Sequence, residues 1–147
     1  MSSRMLLCVA ALAACATVAQ AAQLSMAIVD PAVAIQKSLA ADSIDGVRGN
    51  AEIIEEAAMK RLDPPSPDIS QAAKALKGAA NLTDARTAFG KLSDAIVAYV
   101  DAQKLALDPR IHIAFCPMVN KPWLQAGETI ANPYYGKQMS TCGSIKK

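Results

Sequence analysis

From Thr83 to Asp108 the chain carries one continuous apolar stripe with the period of an α-helix. Its members recur every three or four positions, which places them on a single helical face. They are Ala85, Phe89, Leu92, Ile96, Tyr99, Val100 and Gln103. Asp108-Pro109 ends the pattern, because proline cannot continue a helix and also restricts the residue before it. This segment predicts the longest helix of the protein.

Three shorter segments before it show the same period. They are predicted over 31–41, from a cap at 42–45 to Leu62, and from Ser66 to Gly78. The sequence "DPPSPD" separates the last two, since consecutive prolines break a helix. Four amphipathic helices joined by short polar loops predict a mainly α protein, an antiparallel four-helix bundle with a strand- and turn-rich C-terminal tail.

Composition agrees with a helical core. Of 147 residues, 52% are apolar but only 4% are aromatic, so Ala, Leu, Ile and Val must supply the interior. The formal charge of +2 comes from 15 basic and 13 acidic residues spread along the chain. Because no concentrated basic surface is available to neutralise phosphates, nucleic acid is not expected as a partner.

The N-terminus has the pattern of an export signal. Arg4 precedes an apolar run over 5–19, and Ala-Gln-Ala then fits the rule for cleavage after Ala21. The run is shorter than the roughly 20 apolar residues of a membrane span. The predicted organisation is therefore a signal peptide over 1–21 and a single periplasmic domain over 22–147.

A second interpretation of the same segment stays open. Leu-Ala-Ala-Cys, ending at Cys15, resembles a bacterial lipobox, in which the signal ends at residue 14 and Cys15 carries a lipid. Either route exports the protein from the reducing cytosol. Cleavage after Ala21 leaves Cys116 and Cys142 as the only thiols, in a compartment where cysteine pairs can oxidise.

The tail over 110–147 differs from the helical part. Ile111, Ile113 and Phe115 alternate with His112, Ala114 and Cys116, the period of a strand with one buried face. The remainder is rich in Gly, Pro and Asn turn signals. A segment of this length with so little regular structure is typical of a functional or cross-linked region.

This tail carries the side chains that favour a soft metal ion. The candidates are Cys116 and Met118 in a Cys-Pro-Met cluster, Met139 and Cys142 in a Met-x-x-Cys cluster, and His112. Thiolate and thioether sulfur select Cu(I) over harder divalent ions, and imidazole is an acceptable further ligand. The two clusters together predict a Cu(I) site.

A disulfide between Cys116 and Cys142 is the competing interpretation. Closing a loop of this length contributes roughly 3 to 4 kcal/mol in the chain-entropy model. No metal would then bind, and Met118 and Met139 would fill gaps in the core. The protein would be a disulfide-stabilised module that docks onto an envelope efflux component through 123–135. A reversible site, metal-binding when reduced and cross-linked when oxidised, combines the two.

His112 is the weakest ligand candidate. In a strand it lies roughly 13 Å from Cys116, too far for both to bind one ion or to form a Cys-His catalytic dyad. The chain has no Cys-x-x-Cys motif, serine-nucleophile pattern, Gly-rich phosphate loop or paired-carboxylate site. We therefore expect a binding protein and not an enzyme.

The tail resembles a bacterial periplasmic domain that occurs alone or fused to the adaptor subunits of heavy-metal efflux pumps. The resemblance rests on "HIAFCPM", a following Trp, "NPYYG", and then Met and "CG", and it extends upstream to "AIQKSLAADSIDGVRGNAEII". It covers roughly residues 28–144. It implies a helical bundle with an appended metal-binding tail, a role in copper or heavy-metal resistance, and an efflux adaptor or other envelope protein as partner. The matching positions are His112, Cys116, Met118, Trp123, Met139 and Cys142.

Overall fold

The computed structural model describes residues 21–146. The helices are α1 (Met26–Ala40), α2 (Val47–Lys60), α3 (Pro67–Lys77) and α4 (Leu82–Gln103), followed by the strands β1 (Ile111–Cys116), β2 (Lys121–Ala126) and β3 (Ser144–Ile145), with a short 3-10 helix (Gly136–Met139) before β3. The apolar run over 5–19 and Cys15, on which the export-signal and lipobox predictions rest, lie outside the described residues.

Three of the four helices begin at a side-chain cap. α2 instead begins at Val47 after Gly46 without one, so the predicted cap over 42–45 is wrong. The Ser66 hydroxyl accepts the Ile69 N–H at 3.3 Å, and the Asn81 side chain accepts the Asp84 N–H at 2.9 Å. These caps satisfy backbone donors that have no partner inside the helix, and the predicted starts of α3 and α4 are confirmed. The start of α1 differs, because Ser25 caps that helix and Pro31 lies inside it.

The predicted four-helix bundle is wrong, and the fold is mixed α/β. Each helix packs against the next along the chain, but α1 and α4 scarcely touch. Strand β2 packs against both α1 and α4, in the position where a four-helix bundle would place these two helices in direct contact. Four consecutive buried residues over 122–125 make this possible, because they fill the opening between the two helices. None of the helices in the described part of the chain has the length and apolar character needed to cross a membrane.

The tail forms a three-stranded antiparallel sheet in the order β2-β1-β3. The predicted strand over 111–116 is confirmed as β1, and its residue Ala114 pairs with Trp123 on β2 and with Ile145 on β3. Of its two faces, the one with Ala114 and Cys116 is buried. The other two strands were not predicted, since β2 contains a proline that cannot donate a ladder hydrogen bond and β3 has only two residues.

Arg86 on α4 ties the tail to the end of α1. Its guanidinium donates to the carbonyl of Leu39 at 2.9 Å and to that of Pro133 at 2.9 Å, and it pairs with the Asp42 carboxylate at 2.6 Å. Gly136 passes so close that a Cβ there would lie 1.9 Å from the Asp42 carboxylate. Its positive φ of 55° also favours glycine. The glycine of "NPYYG" therefore allows the tail to contact this ion pair.

We expect acid to weaken this connection. The hydrogen bond from Arg86 lowers the pKa of Asp42 below its ordinary value of 3.8. Because the folded pKa is the lower one, the stabilisation is complete above the unfolded pKa of about 3.8 and is lost as the pH falls through the folded pKa. As the pH is lowered from about 5 to about 2.5, the melting temperature of Asp42→Asn should fall less than that of the parent protein. Asp45→Asn, which removes an exposed carboxylate with no ion pair among residues 21–146, should behave like the parent, and equal slopes for all three proteins would contradict the assignment.

Candidate functional site

Cys116 and Cys142 meet at the end of β1. Cys116 is the last residue of that strand and is completely buried, whereas Cys142 precedes β3 and is half-buried. Pairing of Phe115 with Ser144 brings β3 against β1, and Asn132 contacts both cysteine segments, so the two thiol groups lie near each other. Both are free thiols and not a disulfide. The adjacency that both the metal and the disulfide interpretations require is therefore present.

Asn132 holds the two cysteine segments together. Its side-chain NH2 donates to the Cys116 sulfur at 3.3 Å and to the Cys142 carbonyl at 2.7 Å. Its side-chain oxygen accepts the backbone N–H groups of Tyr134 at 2.7 Å and Tyr135 at 3.2 Å. All of this is buried, with Asn132 at 0% exposure. In the sequence, Asn132-Pro133 indicates a turn, and the capacity of asparagine to bond its own turn is the available signal for this role.

Trp123 packs beneath the segment that carries Cys142. It is fully buried on β2, and its indole N–H donates to the Gln125 side chain at 2.9 Å. Gly143 lies against the ring edge, where a Cβ would come within 2.8 Å of the Trp123 ring and 2.9 Å of the Phe115 carbonyl. Its φ is +138°, a conformation that other residues rarely adopt. The glycine of the Cys-Gly pair is therefore required for the tail to pass over Trp123.

Gly143→Ala should destabilise the protein by about 1 to 3 kcal/mol, the range for overpacking a well-packed interior. The matched control is Gly127→Ala, because Gly127 also has a positive φ of 75° but has open space where the Cβ would lie. The control reports what a positive φ costs in open space. Gly143→Ala should destabilise more, because its Cβ meets the Trp123 ring and the Phe115 carbonyl and because φ near +138° is less accessible to alanine than φ near +75°. Urea unfolding of both variants measures the difference, and equal destabilisation of the two would contradict the close packing at Gly143.

The two methionines differ in their surroundings. Met139 ends the 3-10 helix, is half-buried, and accepts the Cys142 N–H with its carbonyl at 3.0 Å, so the Met-x-x-Cys cluster does form a tight turn. Met118 lies in the turn between β1 and β2 with 61% of its surface exposed. The structure thus places Met139 in the turn that carries Cys142 and leaves the Met118 side chain mostly in solvent.

His112 lies away from the thiols. It sits near the start of β1 opposite Gln125, while Cys116 ends the same strand opposite Lys121. With a rise of about 3.3 Å per residue, their Cα atoms are separated by roughly 13 Å. In this conformation one ion cannot bond to both side chains.

Other polar side chains that shape the tail were missed from the sequence. Buried Gln125 donates to the carbonyls of Gly127 at 2.9 Å and Thr129 at 3.0 Å, and Gln36 on α1 donates to the Ala131 carbonyl at 2.6 Å. The Gln125 bonds close a local turn, whereas the Gln36 bond connects residues far apart in the chain, and residue type alone does not reveal either kind. The only available signal was an uncharged amide within an apolar segment, as for Gln125 beside Trp123 and Leu124.

Burial and the neighbouring Cys116 raise the pKa of the Cys142 thiol above its ordinary value of 9.0. At neutral pH the thiol is therefore protonated, and a metal ion that binds there must displace the proton. Within residues 21–146, no three His, Cys, Asp or Glu side chains lie close enough together to hold a metal ion.

Comparison of the chain with models of protein families, with curated proteins and with solved structures found no match.

Proposed function

We propose that this protein is an exported, periplasmic binding protein for copper or a related heavy metal, which sequesters or transfers Cu(I) through Cys116 and Cys142. One observation carries the proposal. Two free thiols from different segments of the tail lie near each other, bridged by Asn132, and one of them is fully buried. Two thiolates are a donor set that selects a soft ion such as Cu(I) over Mg²⁺ or Ca²⁺.

The surroundings of the thiols favour metal binding over a purely structural role. The Asn132 N–H that reaches the Cys116 sulfur at 3.3 Å is the type of outer hydrogen bond that orients a metal ligand. Trp123 and Gly143 hold the Cys142 segment in place from below. A preorganised pair of this kind requires little rearrangement before it binds an ion.

Met139 and Met118 complete the proposed ligand set in different ways. Met139 belongs to the same tight turn as Cys142 and is half-buried, so its thioether is the inner of the two methionine candidates. Met118 follows Cys116 by two residues and is 61% exposed, so its sulfur is accessible to a metal donor in solution. We assign Met118 as the outermost ligand, which captures the ion before the two thiolates hold it. His112 is left outside this set because of its distance from Cys116.

Titration of the reduced protein with Cu(I) in competition with bicinchoninate tests the proposal. We expect one Cu(I) per chain and release of about two protons, since both thiols must be deprotonated. Affinity should fall with decreasing pH for the same reason. Binding without proton release, or no competition with the chelator at all, would contradict a dithiolate site.

The docking-module hypothesis is supported by the same adjacency, because neighbouring thiols in an oxidising compartment can form a disulfide. It predicts that the protein isolated from the periplasm is oxidised and that reduction lowers its stability. Free-thiol counting by mass spectrometry distinguishes the two functions. Two free thiols together with bound copper in the isolated protein favour the metal site. A Cys116–Cys142 disulfide in the isolated protein favours the docking module.

A further inference from the structure

A pocket of about 530 Å³ opens between α4 and the tail. Arg86, Gly90 and Lys91 line it from the helix, and Lys121, Tyr134 and Tyr135 line it from the tail. Its volume lies within the range of small-molecule sites, which is roughly 300 to 1,000 Å³. Neither thiol lines it, so it is distinct from the proposed copper site.

The charges around this pocket leave one cation without a partner. Arg86, Lys91 and Lys121 line it, and no carboxylate does. Arg86 is paired with Asp42, and Lys121 with Asp94. Lys91 makes no ion pair with any residue of the described chain. The pocket therefore offers one net positive charge beside an apolar wall.

Gly90 is the second observation that indicates a ligand. It lies inside α4, where glycine is less stable than alanine because of its backbone freedom. Packing does not require it, since a Cβ there would lie 3.5 Å from the Lys121 side chain and 3.6 Å from the Tyr134 ring, which are ordinary contact distances. The missing side chain instead leaves space in the wall of the pocket.

We propose that this pocket binds an organic monocarboxylate with an apolar body. The carboxylate pairs with Lys91 at the rim, and the apolar body lies against Gly90 and the ring of Tyr134. One unpaired cation matches one negative charge, and the walls formed by Gly90, Tyr134 and Val119 match an apolar group. Copper binding is not required for this interaction.

Binding of 2-naphthoate, compared with the neutral 2-naphthamide of nearly identical shape, tests the proposal. Titration calorimetry and amide chemical-shift mapping on the full protein measure affinity and location. We expect 2-naphthoate to bind at least about fivefold more tightly than the amide at low salt, with shifts centred on residues 86–91 and 134–135. Equal affinities, absence of binding, or shifts located elsewhere would overturn the proposal.

Two pairs of variants separate this site from general effects on stability. Gly90→Ala should raise the melting temperature and weaken 2-naphthoate binding, whereas Gly49→Ala, on the exposed side of α2 with no atom near the added methyl group, should leave binding unchanged. Lys91→Gln should reduce the affinity roughly fivefold, whereas the exposed Lys74→Gln on α3 should not. Undiminished binding in both Gly90→Ala and Lys91→Gln would reject the assignment, and Cu(I) affinity should stay constant throughout.

Discussion

Cys116→Ser combined with Cys142→Ser is expected to lower Cu(I) affinity by more than about a hundredfold, since loss of even an outer-shell partner of a metal ligand costs 10- to 100-fold. The physical reason is that serine offers a hard oxygen where the soft ion requires sulfur. Competition with bicinchoninate measures the affinity, and proton release should disappear with it. Ser is close in size to Cys, and at the fully buried position 116 the Asn132 NH2, which now donates to the sulfur at 3.3 Å, can donate to the hydroxyl instead, so the variant should remain folded.

Single variants test the remaining ligands. Met118→Leu and Met139→Leu keep the apolar volume and remove only the thioether, so each should weaken Cu(I) binding by less than the double cysteine variant. His112→Gln should leave the affinity unchanged, because His112 lies at the other end of β1. If the double cysteine variant bound Cu(I) as tightly as the parent, the dithiolate site would be excluded.

Trp123→Ala should destabilise the protein by about 3 to 5 kcal/mol, the range for truncating a buried large aromatic residue to alanine. Trp123 is fully buried and packs edge-on against Tyr134, with ring centroids 6.0 Å apart. Its loss also leaves the Gln125 side-chain oxygen without the indole donor at 2.9 Å. Equilibrium unfolding in urea measures the change in the free energy of unfolding.

The same variant should also weaken Cu(I) binding under conditions where it stays folded, because Gly143 rests on the Trp123 ring and holds Cys142 in place. Leu76→Ala is the matched control. Leu76 is buried on α3, away from the tail, and its truncation costs about 2 to 5 kcal/mol. If both variants lowered the copper affinity equally, the effect would come from lost stability and not from support of the Cys142 segment.

Features set by short-range chemistry could be predicted from the sequence. Ser66 and Asn81 start helices because their side chains bond backbone N–H groups three residues ahead. The alternation over 111–116 indicated β1 because a strand turns successive side chains to opposite faces. The turn that joins Met139 to Cys142 could also be predicted from the sequence, since it depends on residues only three apart.

Only the tertiary structure decided the rest. The sheet replaces the direct contact between α1 and α4 because β2 buries four consecutive residues between them, a feature without the alternating pattern that reveals a half-buried strand. The adjacency of Cys116 and Cys142 likewise depends on pairing of β3 with β1, on the bonds of Asn132 and on the passage of Gly143 over Trp123. The sequence by itself determined which sulfur atoms are available. Their meeting was decided by long-range contacts, whose energies depend on the packed core and cannot be obtained from local propensity.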